Sequence, residues 1–118
     1  GDEKENLQNW IIENGMHNHI FLVGFRRDFI NYMAASDMLI QPSLTDASNN
    51  VAKEMAMLEK VIAVSEGVGD YSDYVEDGLN GFLLPLANTE EKIEDSIRNV
   101  YENPDHYVEM GHRLRKTP

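Results

Sequence analysis

The sequence has 118 residues, 42% of them apolar, with 10 basic against 21 acidic side chains and a formal charge of −11. That length suits one domain or part of one, with enough apolar content to bury a core, while the acidic balance argues against nucleic acid or an anionic membrane surface as partner. There is no cysteine, which fits a reducing, cytoplasmic setting; residues 1–9 are too polar for a signal peptide, and no apolar run approaches the roughly 18 residues that span a bilayer.

Leu7, Trp10 and Ile11 fall at i, i+3 and i+4 behind an acidic start at Asp2 and Glu3, which predicts an amphipathic helix closed by Asn14-Gly15. Trp10 is read as packing for that helix rather than as a platform for a sugar ring. His17 and His19 have no third ligand near them in sequence and read as solvated loop rather than as a metal site. His106 and His112, on different faces of a later helix, make no site either. Ile20-Phe21-Leu22-Val23, bounded by His19 and Gly24, reads as a buried strand. The turn Phe25-Arg26-Arg27-Asp28 follows. Open α/β sheets bind ligands beyond the carboxyl ends of their strands, so these arginines suit an anion or a planar base; surface charge, or an ion pair to Asp28, is the plainer alternative. Asp28 is expected to cap a helix carrying Phe29, Tyr32 and Met33, and Met38-Leu39-Ile40-Gln41 to form the next strand.

Residues 41–56, QPSLTDASNNVAKEMA, read as strand, loop, helix. Pro42 and Ser43 end the strand pattern, small and polar residues run from Thr45 to Asn50, and helical spacing restarts at Val51 with Met55 and Leu58. An open helix N-terminus carries unpaired N–H donors and a partial positive charge, which suits an anionic or hydroxyl-rich ligand. Asp46 in the loop and Glu54 in the helix add two carboxylates, each able to accept hydrogen bonds from paired hydroxyls such as sugars present.

Val61-Ile62-Ala63-Val64 is apolar on both faces, the mark of a parallel strand covered on both sides. Gly67-Val68-Gly69-Asp70-Tyr71-Ser72 half-matches a dinucleotide fingerprint but has Ser72 for the third glycine, and no strand with an acidic end lies about 20 residues on. Asp77-Gly78 and Asn80-Gly81 signal turns before a last strand at 82–84. Asn88, with Glu91 three residues on, predicts a capping box for a helix carrying Ile93, Ile97, Val100 and Tyr101. Asn103-Pro104 opens a final helix with proline first, whose stripe is Tyr107, Met110 and Leu114 and whose basic end, Arg113, Arg115 and Lys116, suits the helix dipole. Strands at 20–23, 38–41, 61–64 and 82–84 alternating with helices predict an α/β fold with a parallel sheet.

Asp46 to Glu54 is D-x7-E, and the stretch around it resembles the E-x7-E element of retaining, nucleotide-sugar-dependent glycosyltransferases of family 4, worded close to P-S-x-x-E-G-F-x-N-x-x-x-E-A-M-A. Pro42, Ser43, Asn50 and Glu54 stand where that wording expects them, with Met55-Ala56 displaced by one; Asp46, Ala47 and Ser48 replace Glu, Gly and Phe. IFLVGFRRD at 20–28, MAASDMLI at 33–40, KVIAV at 60–64 and VEDGLNGFLL at 75–84 are similar to further elements of the same family, so the likeness covers about residues 19–115. Where that family carries Gly-Gly-x-x-Glu, this chain has Gly67 and Gly69 split by Val68, with Asp73 at the acidic position.

The resemblance implies a Rossmann-like parallel sheet with helices on both faces, the later part of the C-terminal, donor-binding domain of a GT-B enzyme. The first strands, the family's diphosphate-binding Arg and Lys, and the acceptor domain are then expected upstream of Gly1, which would leave the isolated chain inactive. It assigns Asp46 to the donor sugar beside the reacting carbon, as the catalytic position. Ala47, Ser48, Asn49, Asn50 and Val51 would offer backbone N–H groups to sugar and diphosphate, Glu54 would take the ribose hydroxyls, and Arg26 and Gly69 would line the donor. The implied partners are a nucleotide-sugar donor and a saccharide or lipid-linked acceptor, with no metal or other cofactor and, for the full-length protein, a cytoplasmic place that allows peripheral contact with a membrane. The alternatives are a non-catalytic nucleotide-sugar binding domain, for which Asp46-Ala47-Ser48 speaks, or another GT-B enzyme such as a nucleotide-sugar epimerase or a phosphorylase. In the strand order 3-2-1-4-5-6, residues 20–23 would be strand 3 and 38–41 strand 4. The isolated chain would then either set these two side by side in a four-stranded sheet or form a homodimer through its open edges.

Overall fold

The structure, a computed structural model, describes residues 2–24, 27–43 and 49–116. The first helix, α1 (Asp2–Glu13), ends as its sequence predicts. Gly15 takes φ +67° and the N–H groups of Gly15 and Met16 bond back to the carbonyls of Ile12 and Ile11, so a left-handed glycine closes the last turn. Ile11 is fully buried, but Leu7 and Trp10 remain about half exposed. Trp10 is therefore not core, contrary to the reading from its spacing: periodicity selects a face, and only Ile11 on that face finds a neighbour that encloses it.

The run 20–23 is not a strand. The N–H groups of His19 and Ile20 both donate to the Met16 carbonyl at 2.9 Å, so the run starts in a turn that occupies its first amide. Ile20, Phe21 and Val23 are 38–69% exposed. An apolar run becomes a strand only when a neighbour offers a ladder, and among the described residues none does. The four-stranded sheet is accordingly not formed.

A short helix, α2 (Phe29–Ala35), buries Met33; Asp28 precedes it without a side-chain cap bond, and Ser36 closes it by donating from Oγ to the Met33 carbonyl at 2.8 Å. The sheet is three parallel strands, β1 (Met38–Gln41), β2 (Val61–Ser65) and β3 (Phe82–Leu84), in that order. Leu39 pairs with Ile62, and Ala63 with Phe82. Between β1 and β2 runs α3 (Asn49–Met57); between β2 and β3 lies the single turn α4 (Tyr71–Tyr74).

Side chains alternate across β2, so both faces are covered. Ile62 and Val64 face Met33 of α2, Ala52 and Met55 of α3, Tyr71 of α4, and Val75. Val61 and Ala63 face the other way with Phe82 and Leu84, against Ile93 and Val100 of α5 (Thr89–Glu102) and Tyr107 and Met110 of α6 (Pro104–Lys116). Ile62, Ala63 and Val64 have no exposed surface. Each fully buried Ile or Val contributes about 1.5–3 kcal/mol, so the short central strand is the centre of stability as well as of topology. Pro104 opens α6, as its sequence predicts. The capping box at Asn88 does not form. A turn of 3-10 helix, Leu86–Asn88, runs into α5, and the tie to the preceding strand is instead Thr89 Oγ1 donating to the Pro85 carbonyl at 2.7 Å. Among the described residues no helix is long and apolar enough to cross a membrane.

The segment between α4 and β3 is held by two side chains. Asn80, 5% exposed, accepts from the Glu76 N–H at 2.7 Å and donates to the Tyr74 carbonyl at 2.8 Å. Asp77 accepts from the Leu83 N–H at 2.9 Å and pairs with Lys92 at 3.0 Å. Gly78 (φ +82°) lets the turn close, its N–H bonding to the Gly81 carbonyl at 2.8 Å. Thus the VEDGLNGF wording is a structural clasp that delivers β3 to the sheet edge.

Candidate functional site

Because the three strands are parallel, their carboxyl ends share one edge of the sheet. The connections leaving that edge converge there. After β1 come Pro42 and Ser43, then the N-terminus of α3. Asn49, Asn50 and Val51 form its first turn, whose leading backbone N–H groups have no acceptor within the helix. Val51 packs against the core beneath. Glu54 stands exposed in the second turn.

After β2 the chain runs through Glu66, whose N–H extends the ladder to the Leu84 carbonyl at 3.0 Å, and into the glycine loop. Gly67 (φ +74°) and Gly69 (φ +55°) are both left-handed, a conformation that disfavours any Cβ. Val68 between them points inward, 8% exposed, into the cluster holding Ala52 and Met55 of α3. The two glycines let the backbone turn outward on either side of a buried anchor. The Gly67 N–H reaches Ser72 Oγ at 3.4 Å, and Asp70, next after Gly69, pairs with Lys53 of α3 at 3.1 Å.

The structure therefore brings the α3 N-terminus, Val51, Glu54 and Gly69 to one edge. Asp46, Ala47, Ser48 and Arg26 lie outside the described residues. Sequence reasoning missed Val68, Lys53 and Asp70. A lone valine between two glycines is an anchor signal, and a lysine beside Glu54 with an aspartate beside Gly69 is a charge pair visible once the two segments are set adjacent. Within residues 41–43, 49–56 and 65–73, Lys53 is the one cation against Glu54, Glu66, Asp70 and Asp73. Among the described residues no three His, Asp or Glu side chains converge as a metal site requires.

A groove of about 650 Å³ lies elsewhere. It is lined by Asp37, Met38, Lys60 and Val61 at the amino ends of β1 and β2, with Tyr101 of α5 and Tyr107 of α6. In a parallel sheet that is the end away from the ligand-binding loops, so its size does not make it the site.

The family model described as glycosyl transferases group 1 matches residues 1–117. No curated protein matches the chain. Among solved structures, Anabaena HepE in complex with UDP-glucose is 24% identical with a TM-score of 0.83, the match covering 97% of this chain and 31% of HepE. HepE in complex with UDP superposes with a TM-score of 0.81 at the same identity and coverage. The sucrose-phosphate synthase of Thermosynechococcus elongatus is 19% identical with a TM-score of 0.79, covering 98% of this chain and 29% of the synthase. The chain thus spans under a third of these proteins and shares the fold of the corresponding part of GT-B glycosyltransferases.

Proposed function

The chain belongs to the glycosyl transferases group 1 family, and from that membership we infer that it is the nucleotide-sugar-binding part of a longer, retaining transferase of family 4. The observation that carries the inference is the meeting of two anion-suited backbone elements at the carboxyl edge of the sheet: the first turn of α3 and the left-handed loop at Gly67 and Gly69. Between them they offer N–H donors to a diphosphate or to sugar hydroxyls. Glu54, exposed on α3, supplies an acceptor for the paired hydroxyls of a ribose.

The donor class follows HepE, which was solved with UDP and with UDP-glucose. Asp46 would meet the donor sugar, with a side chain one methylene shorter than the glutamate of the family wording. The backbone of Ala47, Ser48, Asn49, Asn50 and Val51 would bind the sugar and diphosphate, with Arg26 and Gly69 beside them. These groups bind, orient and screen the charge of a leaving nucleoside diphosphate. Lowering the energy of that developing charge is the largest service a positioning site gives to group transfer. The acceptor, a saccharide or lipid-linked one, would be held by an acceptor domain, and diphosphate-binding Arg and Lys would come from upstream strands. A second reading, a binding domain without turnover, is favoured by Asp46-Ala47-Ser48 standing where the family wording has Glu-Gly-Phe.

Calorimetric titration of the chain, and of the longer protein that contains it, with UDP and UDP-glucose tests the inference. Saturable binding that is weakened in Glu54→Gln is expected. Absence of binding in the longer protein refutes it. Binding without sugar transfer in that protein selects the second reading.

A further inference from the structure

The ion pair between Lys53 and Asp70 joins the two elements that the donor site needs, and it does so between the neighbours of two candidate ligand residues. Lys53 precedes Glu54 on α3, and Asp70 follows Gly69 in the loop after β2. The Nζ to Oδ2 distance is 3.1 Å, and the two side chains are 54% and 38% exposed. A pair so exposed contributes little to folding. The loop it restrains is also anchored by Val68 and, just beyond Asp70, by Tyr71, both buried in one cluster with Ala52 and Met55 of α3, and by the Gly67 N–H on Ser72 Oγ. Those contacts hold the base of the loop on the core, while the backbone of Gly67 and Gly69 carries no side chain of its own to brace its outer edge. The pair adds a tie on the solvent side, to the helix that carries Glu54.

We propose that Lys53 and Asp70 are a positioning pair that sets the distance between the glycine loop and the Glu54 turn of α3, and thereby the width of the cleft that receives a nucleoside diphosphate. Neither residue touches the donor in this scheme. Lys53 offsets the charge of Asp70 beside the path of an anionic ligand, and Asp70 draws Lys53 across toward the loop. Preorganising the loop lowers the ordering cost at binding. The proposal rests on the donor-site reading above and deepens it.

The test measures two things on the chain and on the longer protein that contains it. Amide hydrogen exchange without ligand reads the loop directly. Lys53→Gln and Asp70→Asn should each raise exchange at Gly67, Val68 and Gly69, with the melting temperature unchanged. UDP affinity reads the consequence. Each single variant should lose about two- to fivefold, the range of an exposed ion pair, and the exchanged pair, Lys53→Asp with Asp70→Lys, should recover both readouts. Arg98→Gln, which breaks the exposed pair to Glu94 on α5, is the control and should move neither. Unchanged exchange in both single variants overturns the proposal whether or not UDP binds. Weaker UDP binding in Lys53→Gln but not in Asp70→Asn, without recovery in the exchanged pair, also overturns it, because Lys53 would then be a phosphate ligand. UDP binding absent from wild type, with the exchange effects present, refutes the donor site and removes the proposed role of the pair with it.

Discussion

The carbonyl oxygen of Glu59 lies where a β-carbon on Gly111 would have to be. Gly111 is buried in the middle of α6, and Glu59 is the residue that turns the chain from α3 into β2. Helix and turn therefore meet backbone to backbone. Gly111→Ala must push α6 off the sheet, and an overpacked contact of this kind costs about 1–3 kcal/mol or more. Urea unfolding should show at least that loss. A variant as stable as wild type would mean that α6 can slide without consequence.

Glu59 is the one non-glycine residue with a left-handed backbone among the described residues, at φ +60°. The N–H groups of Glu59 and Lys60 bond back to the Ala56 and Met55 carbonyls, the same closure that Gly15 gives α1. What holds a glutamate there is α6: Arg115 reaches its carboxylate at 2.8 Å and His112 at 2.5 Å. The hydrogen bond from Arg115, with further help from His112 and against the effect of burial, keeps the carboxyl below its ordinary value. A carboxyl depressed by folding stabilises above its unfolded pKa, and that contribution fades as pH falls through the folded value. Melting temperatures below about pH 4.5 should therefore fall faster for wild type than for Glu59→Gln. At neutral pH, Glu59→Gly should be more stable than Glu59→Ala, because both lose the ion pairs but only alanine stays strained. Parallel acid limbs, or the reverse order of Gly and Ala, would refute this account.

Asn80 bridges the Glu76 N–H and the Tyr74 carbonyl while almost wholly buried. Asn80→Ala leaves a donor and an acceptor unmatched, a loss of about 1–3 kcal/mol for each group kept from water. Chemical denaturation should register a loss in that range, together with faster amide exchange at Glu76 and in β3. A drop under about 0.5 kcal/mol would show that the turn closes without it.

Much of the fold was legible, and the misses share a cause. β1, β2 and β3, with α3, α5 and α6, lie where apolar runs, turn residues and Pro104 put them, because those signals are local. Residues 20–23 carry the composition of a strand but no ladder partner, and pairing is not a property of the run itself. Trp10 has the spacing of a core residue with little to pack on. At the site, the open N-terminus of α3 was readable from the loop-to-helix change at Val51. The Lys53 to Asp70 pair was not, since the two stand 17 positions apart with a strand between them. Glu59 in place of a glycine is legible only once α6 is seen against it.

Tyr74 offers a test at the alkaline end. Its hydroxyl is buried without a hydrogen-bond partner among the described residues. Burial first, then the charges of Asp70 and Tyr71, push the phenol up to about 12. A phenol held neutral by the fold binds its proton more tightly folded than unfolded, so stability falls as pH rises from the unfolded value near 10 toward 12. Tyr74→Phe removes an unmatched polar atom at little cost in shape, which is close to neutral or stabilising at pH 7, and it should flatten the alkaline limb. A loss above about 1 kcal/mol at neutral pH would reveal a partner for the hydroxyl.

The last prediction separates the two carboxylates of D-x7-E. Glu54 matches the family letter and stands on a helix whose other face is anchored by Ala52 and Met55, so its reach is set by the core. Asp46, outside the described residues, is one methylene shorter than the glutamate of the family wording. Binding of the nucleotide should depend more on Glu54, and transfer of the sugar on Asp46. In the longer protein, Glu54→Gln should weaken UDP-glucose and UDP alike by about 1–3 kcal/mol, the scale of a lost charge-assisted hydrogen bond, while Asp46→Glu should leave nucleotide affinity alone and keep or raise kcat. The two measurements check each other. Unchanged affinity for both ligands in Glu54→Gln would remove Glu54 from the nucleotide site. Abolished turnover in a folded Asp46→Glu variant would mean that the loop has been rebuilt around the shorter side chain, and that position 46 no longer does what the family glutamate does.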